Sequence, residues 1–178
     1  MKYFNVNEMI SSATAQREGI DNRPPESAYH LLHVLVEQLL DPIREAWGEP
    51  IVVSSGYRCK ELNALVGGAK NSHHLLGCAA DIIAGNKADH RRLFNLIQQM
   101  QQEGKIRFTQ LIAEEGYRWL HISYVPGMLR NQVIDVNVDD DVNKPSGRVN
   151  AEPQSTSALT LSLSLEEKSA LKEYQDSG

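Results

Sequence analysis

The stretch Ser72-His73-His74-Leu75-Leu76-Gly77-Cys78-Ala79-Ala80-Asp81 gathers the most reactive side chains of this sequence. His74 and the later carboxylate Asp81 can converge on one divalent metal if the loop between them folds back. Gly77 permits that reversal, and Ala79 and Ala80 keep the neighbourhood small. On a strand, Ala79 and Asp81 share a face while Cys78 and Ala80 point away, so Cys78 is a poor ligand despite its chemistry. A catalytic zinc site usually takes three protein ligands plus water. The third candidate is His121, in Trp119-Leu120-His121-Ile122-Ser123. If Leu120 and Ile122 are core, His121 faces a cleft. A single strand histidine is more often a hydrogen-bonded structural residue than a ligand, and spacing alone leaves both readings open.

The elements that must position these residues follow from periodicity. Phe4 to Ser12 opens with a short helical pattern, and a polar loop ends in Asp21-Asn22-Arg23-Pro24-Pro25. From Glu26 to about Trp47, the residues Leu32, Leu35, Leu39, Ile43 and Trp47 recur at helical spacing. Pro42 should kink that helix or split off its last turns, and Gly48 ends it. Ile51 to Ser55 reads as a strand, Cys59 to Val66 as one or two helical turns, and Cys78 to Ile83 as a second strand. Lys87 to Gln102 is a second long helix. Phe108 to Ala113 and Trp119 to Tyr124 are strands joined by a hairpin turn through Glu114-Glu115-Gly116-Tyr117-Arg118. Helices come first and the hairpin comes late. The fold class is therefore α+β, a small antiparallel sheet with helices packed on it. His30 and His33 share a helix without an evident third ligand and are read as surface residues, and His90 as solvated helix.

Past Pro126 the character changes. A possible strand, Val133 to Val138, runs into Asp139-Asp140-Asp141, and Asn143 to Leu163 reads as linker. Ser164-Leu165-Glu166-Glu167 is a capping box for a short helix to about Tyr174. The division is a main domain over 1–134 and an acidic tail over 135–178. The net charge of −5 lies wholly in that tail, because acidic and basic side chains balance over 1–134. A neutral main domain argues against nucleic acid as a partner. No apolar run approaches the roughly 20 residues that span a membrane. The two cysteines, Cys59 and Cys78, are too few for a disulfide framework and are expected to be reduced, packed thiols.

Read together, Ser72, His74, Gly77, Ala79 and Asp81, with Trp119-Leu120-His121-Ile122-Ser123, resemble the M15 peptidases. These zinc D-alanyl-D-alanine carboxypeptidases, dipeptidases and phage-type endolysins share the hedgehog/DD-peptidase fold. The similarity is to the shorter, carboxypeptidase-like branch. It extends to Gly19-Ile20-Asp21-Asn22 with Pro24, to Leu40-Asp41-Pro42-Ile43-Arg44, to Ser55-Gly56-Tyr57-Arg58, and to Leu62-Asn63 with Gly67-Gly68-Ala69. It covers about Phe4 to Tyr124.

The resemblance implies that His74, Asp81 and His121 hold Zn2+, and that Ser72 and Arg58 contact substrate. Arg58 follows a strand end at a glycine turn, where a guanidinium could hold a carboxylate or a developing oxyanion. Ser72 could instead only cap a turn, and Arg58 could be a surface ion pair. Many members of the family carry an acidic residue three positions before the last ligand, where this chain has Arg118. The branch instead carries a glutamate after the preceding strand, which makes Glu114 the candidate general base and Glu115 its competitor. His73 neighbours the site and could hydrogen-bond substrate, although glutamine is often found there.

The expected function is zinc-dependent hydrolysis of peptidoglycan stem or cross-link peptides by a monomer. A zinc-stabilised wall- or partner-binding domain without catalysis is the alternative, and a metal-free interaction protein a third reading. Met1 to Glu8 has no apolar run behind its charge, so it does not read as a signal peptide. The enzyme is then expected to be made in the cytoplasm and to act on the wall after release, as a phage lysin does, or by another export route.

Overall fold

The computed structural model describes residues 1–135 together with the helical, exposed Lys172. Apart from Lys172, the expected linker and the helix after Ser164 lie outside the described residues.

Two short helices, α1 (Val6–Ile10) and α2 (Ala13–Glu18), open the chain. The second forms where the sequence pattern predicts polar loop. Its ends explain why it forms: the Ser12 hydroxyl caps Ala15 N–H, and Gly19 closes it with a φ of 69°. Helix α3 (Glu26–Leu35) starts directly after Pro25. It continues through one π-helical turn, Val36–Leu40, into α4 (Asp41–Trp47). The kink expected at Pro42 takes this form. Proline donates no hydrogen bond, and the wide turn before it lets Asp41 N–H reach the Val36 carbonyl five residues back. Leu32, Leu35, Val36, Leu39, Leu40 and Ile43 are all essentially inaccessible along this rod.

The sheet contains β1 (Val52–Ser55), β2 (Ala79–Ile83), β3 (Gln110–Glu114), β4 (Trp119–Ser123) and β5 (Gln132–Asp135). Their spatial order is β1-β2-β4-β3-β5. The pairs β1–β2, β2–β4 and β3–β4 are antiparallel as expected, but β5 runs parallel to β3, so the sheet is mixed. The reason is topological. The chain leaves β4 at the end where β3 begins and crosses past β3. It can then return only in the β3 direction. Strand β5 also crosses the expected domain boundary at 134/135.

One face of the sheet is dry. Ala80, Ile82, Leu111, Ala113, Leu120 and Ile122 are fully buried and share one cluster with α3, α4 and α6 (Lys87–Gln102). Helix α6 is capped reciprocally by Asn86 and Asp89 and presents Leu93, Phe94, Ile97 and Met100 to the core. His90 lies on that same stripe, contrary to the solvated reading. It is buried, and its Nδ1 lies 2.8 Å from the Tyr117 carbonyl. The i, i+3, i+4 spacing from His90 to Leu93 and Phe94 is the signal that places it there. His30 is exposed and His33 half-buried, as surface residues should be. Among the described residues no helix is long and apolar enough to cross a membrane.

Candidate metal centre

Helix α5 (Lys60–Leu65) and a single 3₁₀ turn, His73–Leu76, fill the connection between β1 and β2. Gly77 ends that turn with a φ of 73°, and a Cβ there would stand 2.5 Å from the Ala28 carbonyl of α3. The chain thus reverses against α3, and His74 falls over the start of β2. Asp81 on β2 and His121 on β4 are direct cross-strand partners. They project from the face opposite Leu120 and Ile122, as alternation requires.

Three ligand atoms meet. His74 Nε2 is 3.2 Å from Asp81 Oδ1 and 3.2 Å from His121 Nδ1, and His121 Nδ1 is 2.9 Å from Asp81 Oδ1. His74 Nδ1 lies 2.6 Å from the Gly56 carbonyl. A carbonyl only accepts, so Nδ1 carries the proton and Nε2 turns a bare lone pair toward the carboxylate. One proton on His121 Nδ1 cannot satisfy both other atoms. A cation at their centre satisfies all three. Zinc bonds of about 2.0–2.1 Å in tetrahedral geometry separate ligand atoms by about 3.3 Å, which this trio reaches with shifts of a few tenths of an ångström. The donor set therefore fits zinc.

The electrostatics agree. Burial alone would raise the Asp81 carboxyl, but the hydrogen bonds and positive charge that His121 and His74 offer when protonated outweigh it and hold Asp81 well below the usual carboxylate range. Burial lowers His74, against the pull of Asp81. His73 is lowered to about 4, chiefly by burial and further by the charges of His121, His74 and Arg130. Asp81 is therefore ionised and His74 neutral at pH 7, the protonation states a divalent metal needs.

Each remaining expected residue has a definite place. Arg58 Nη2 donates to Asp81 Oδ2 at 2.5 Å, and its Nε donates to Ser55 Oγ at 2.8 Å. Its guanidinium thus fixes the carboxylate oxygen that the histidines leave free, while still bordering the cleft. The Ser72 hydroxyl caps the 3₁₀ turn, accepting from His74 N–H at 3.4 Å, and also faces the cleft. His73 Nδ1 lies 3.0 Å from Ser123 Oγ. Cys78 is buried with Leu31 and Val125 and takes no part in the trio. Cys59 caps α5, and both thiols are free.

The trio opens on a cleft of about 680 Å³ whose walls include Asn71, Gln110, Glu114, Trp119, Arg130 and Gln132. Ile112 pairs with His121 and Glu114 with Trp119, so Glu114 is the diagonal neighbour of His121 on the adjacent strand. Glu115 also borders the cleft but has a φ of 40° and an ion pair with Arg118 at 2.6 Å. Sequence reading missed Ser55, the Gly56 carbonyl, Arg130 and Gln132. Ser55 was detectable as the polar end of a β-branched run, but Arg130 carries no local pattern.

Residues 2–123 match the family described as Peptidase M15. The chain belongs to that family, and its His74, Asp81 and His121 could hold the metal ion. Over 49 residues it is 47% identical to the zinc D-Ala-D-Ala carboxypeptidase of Streptomyces albus G. That alignment spans 27% of this chain and 19% of the relative.

Proposed function

We propose that this protein hydrolyses peptide bonds in the stem or cross-link peptides of bacterial peptidoglycan, in the manner of a D-Ala-D-Ala carboxypeptidase or endopeptidase, and serves as a cell-wall lytic enzyme. The observation that carries the reading is the His74–Asp81–His121 trio at the floor of a peptide-sized cleft, with Glu114 diagonal to His121. The carboxypeptidase similarity supports the choice of substrate.

When bound, zinc supplies Lewis acidity, polarising the scissile carbonyl and acidifying water toward neutrality. Glu114 accepts the proton of the attacking water and delivers it to the leaving nitrogen as the C–N bond breaks, a contribution of about 10²–10⁴-fold. Arg58 keeps Asp81 in its ligating rotamer, and its unused N–H groups face the developing oxyanion. Ser72 and His73 line the same wall and orient the peptide.

The test is digestion of purified peptidoglycan with and without chelator, with fragments identified by mass spectrometry. Chelator-sensitive release of D-alanine or of cleaved cross-links is expected. Zinc-bound protein that adheres to the wall and releases nothing would replace this reading with the non-catalytic binding domain.

A further inference from the structure

We propose that Arg130 is a specificity-determining residue that binds the carboxylate on the carbon bearing the leaving nitrogen. This deepens the peptidase reading and rests on it. Arg130 lies beyond the family-matched residues 2–123.

Two guanidinium groups line the described cleft, Arg58 and Arg130. Arg58 is engaged by Asp81 and Ser55. Among the described residues, the Arg130 guanidinium has no hydrogen-bond or ion-pair partner, and the side chain is exposed. It is thus the cleft cation left for an anion that the protein does not supply.

Its backbone is not free to wander. Arg130 N–H donates to Met128 O at 2.8 Å. Asn131, with a φ of 51°, donates its N–H to Phe108 O at 2.8 Å and accepts from Phe108 N–H through Oδ1 at 3.0 Å. Gln132 N–H donates to Thr109 O at 3.1 Å. On the other side, Arg107 Nη2 holds the Leu129 carbonyl at 3.2 Å. The loop between β4 and β5 is therefore pinned to the start of β3 on both sides of Arg130, which fixes the backbone from which the cation projects.

Position then gives the cleft a direction. Trp119 pairs with Glu114 at one end of β4, whereas Ser123 pairs with Gln110 at the other, and Gln110 pairs with Gln132. The acidic Glu114 and Glu115 thus flank His121 on one side, with Arg130 and the Ser123-bound His73 on the other. These ends are about 13 Å apart at strand rise. A peptide crossing the metal trio meets base at one end and a cation at the other. A terminal D-alanine and the D-centre of a cross-link both carry the required carboxylate. Guanidinium and carboxylate pair bidentately with high selectivity over a neutral amide.

The experiment uses zinc-loaded full chain with two peptides, one ending in D-Ala-D-Ala with a free carboxylate and the other its C-terminal carboxamide. kcat/KM and calorimetric Kd are measured for both on wild type, Arg130→Gln, Arg130→Lys and Arg118→Gln. The carboxylate-to-carboxamide preference should fall about 10- to 100-fold in Arg130→Gln, mainly through KM. It should be partly kept in Arg130→Lys and fully kept in Arg118→Gln. An unchanged preference in Arg130→Gln, or an equal fall in Arg118→Gln, overturns the role of Arg130. Selective binding without turnover would instead sink the peptidase reading alone, and absence of both would sink both.

Discussion

The Gly56 carbonyl accepts the His74 Nδ1 proton at 2.6 Å, and this contact orients the metal-facing nitrogen of His74. Gly56 can lie there because it has no side chain: a Cβ would stand 2.1 Å from the Met9 carbonyl, which also receives Tyr57 N–H at 2.7 Å. Helix α1 thus helps to position a metal ligand through Gly56.

Gly56→Ala should therefore push the turn off Met9 and weaken zinc binding about 10- to 100-fold, the usual cost of disturbing a ligand's supporting contact. Competition titration against a calibrated chelator measures it, with thermal unfolding alongside. Unaltered zinc affinity in a folded Gly56→Ala protein would show that the carbonyl is incidental.

His74→Ala should abolish both stoichiometric zinc and turnover, because two remaining ligands make an incomplete site. Cys78→Ala is the contrast, since its buried thiol packs with Leu31 and Val125. Metal analysis of purified proteins should find zinc lost in the first and kept in the second. Loss of zinc from Cys78→Ala at full folding would return the thiol to the ligand set.

Acid should destabilise the zinc-stripped protein in a defined window. His73 is held at about 4 when folded against an ordinary 6.5, chiefly by burial. Below 6.5 the unfolded chain binds a proton that the folded chain refuses, so stability falls as pH drops from 6.5 to about 4. The loss is about 3 kcal/mol at most. The lowered His74 acts in the same direction. The contribution of Asp81 is present above the ordinary 3.8 and is lost only below it. Urea unfolding at several pH values measures the slope, which His73→Gln should flatten. A flat profile from 6.5 to 4.5 in the parent would contradict the buried, neutral His73.

Much of this arrangement was legible in the sequence because it rests on local period. The apolar repeat from Leu32 to Ile43, the strand around Asp81 and the alternation around His121 each fix a face, and the three faces meet. What escaped depends on partners distant in sequence. The spacing of His90 to Leu93 and Phe94 marks the core stripe, but the Tyr117 carbonyl that satisfies its ring lies 27 residues away and leaves no local signal. The parallel pairing of β5 depends on which side of β3 the chain passes, and no residue within β5 encodes that. Arg58 borders the cleft, but its hold on Asp81, a carboxylate 23 residues away in sequence, has no local pattern.

The base assignment separates two adjacent carboxylates by their surroundings. Glu114 ends β3 opposite Trp119, its side chain on the His121 side of the sheet. Glu115 lies in the turn at positive φ and is drawn to Arg118 at 2.6 Å. Glu114→Gln preserves size and hydrogen bonding but cannot take a proton, so it should lower kcat about 10²–10⁴-fold with zinc still stoichiometric. Glu115→Gln removes an exposed ion pair of the kind that contributes little to stability, and should leave kcat within about threefold. Steady-state rates on a D-Ala-D-Ala peptide, with metal content measured on the same samples, separate the two. The reverse ranking would transfer the role to Glu115. Near-normal rates in both single variants and in the double variant would place the proton acceptor elsewhere in the cleft.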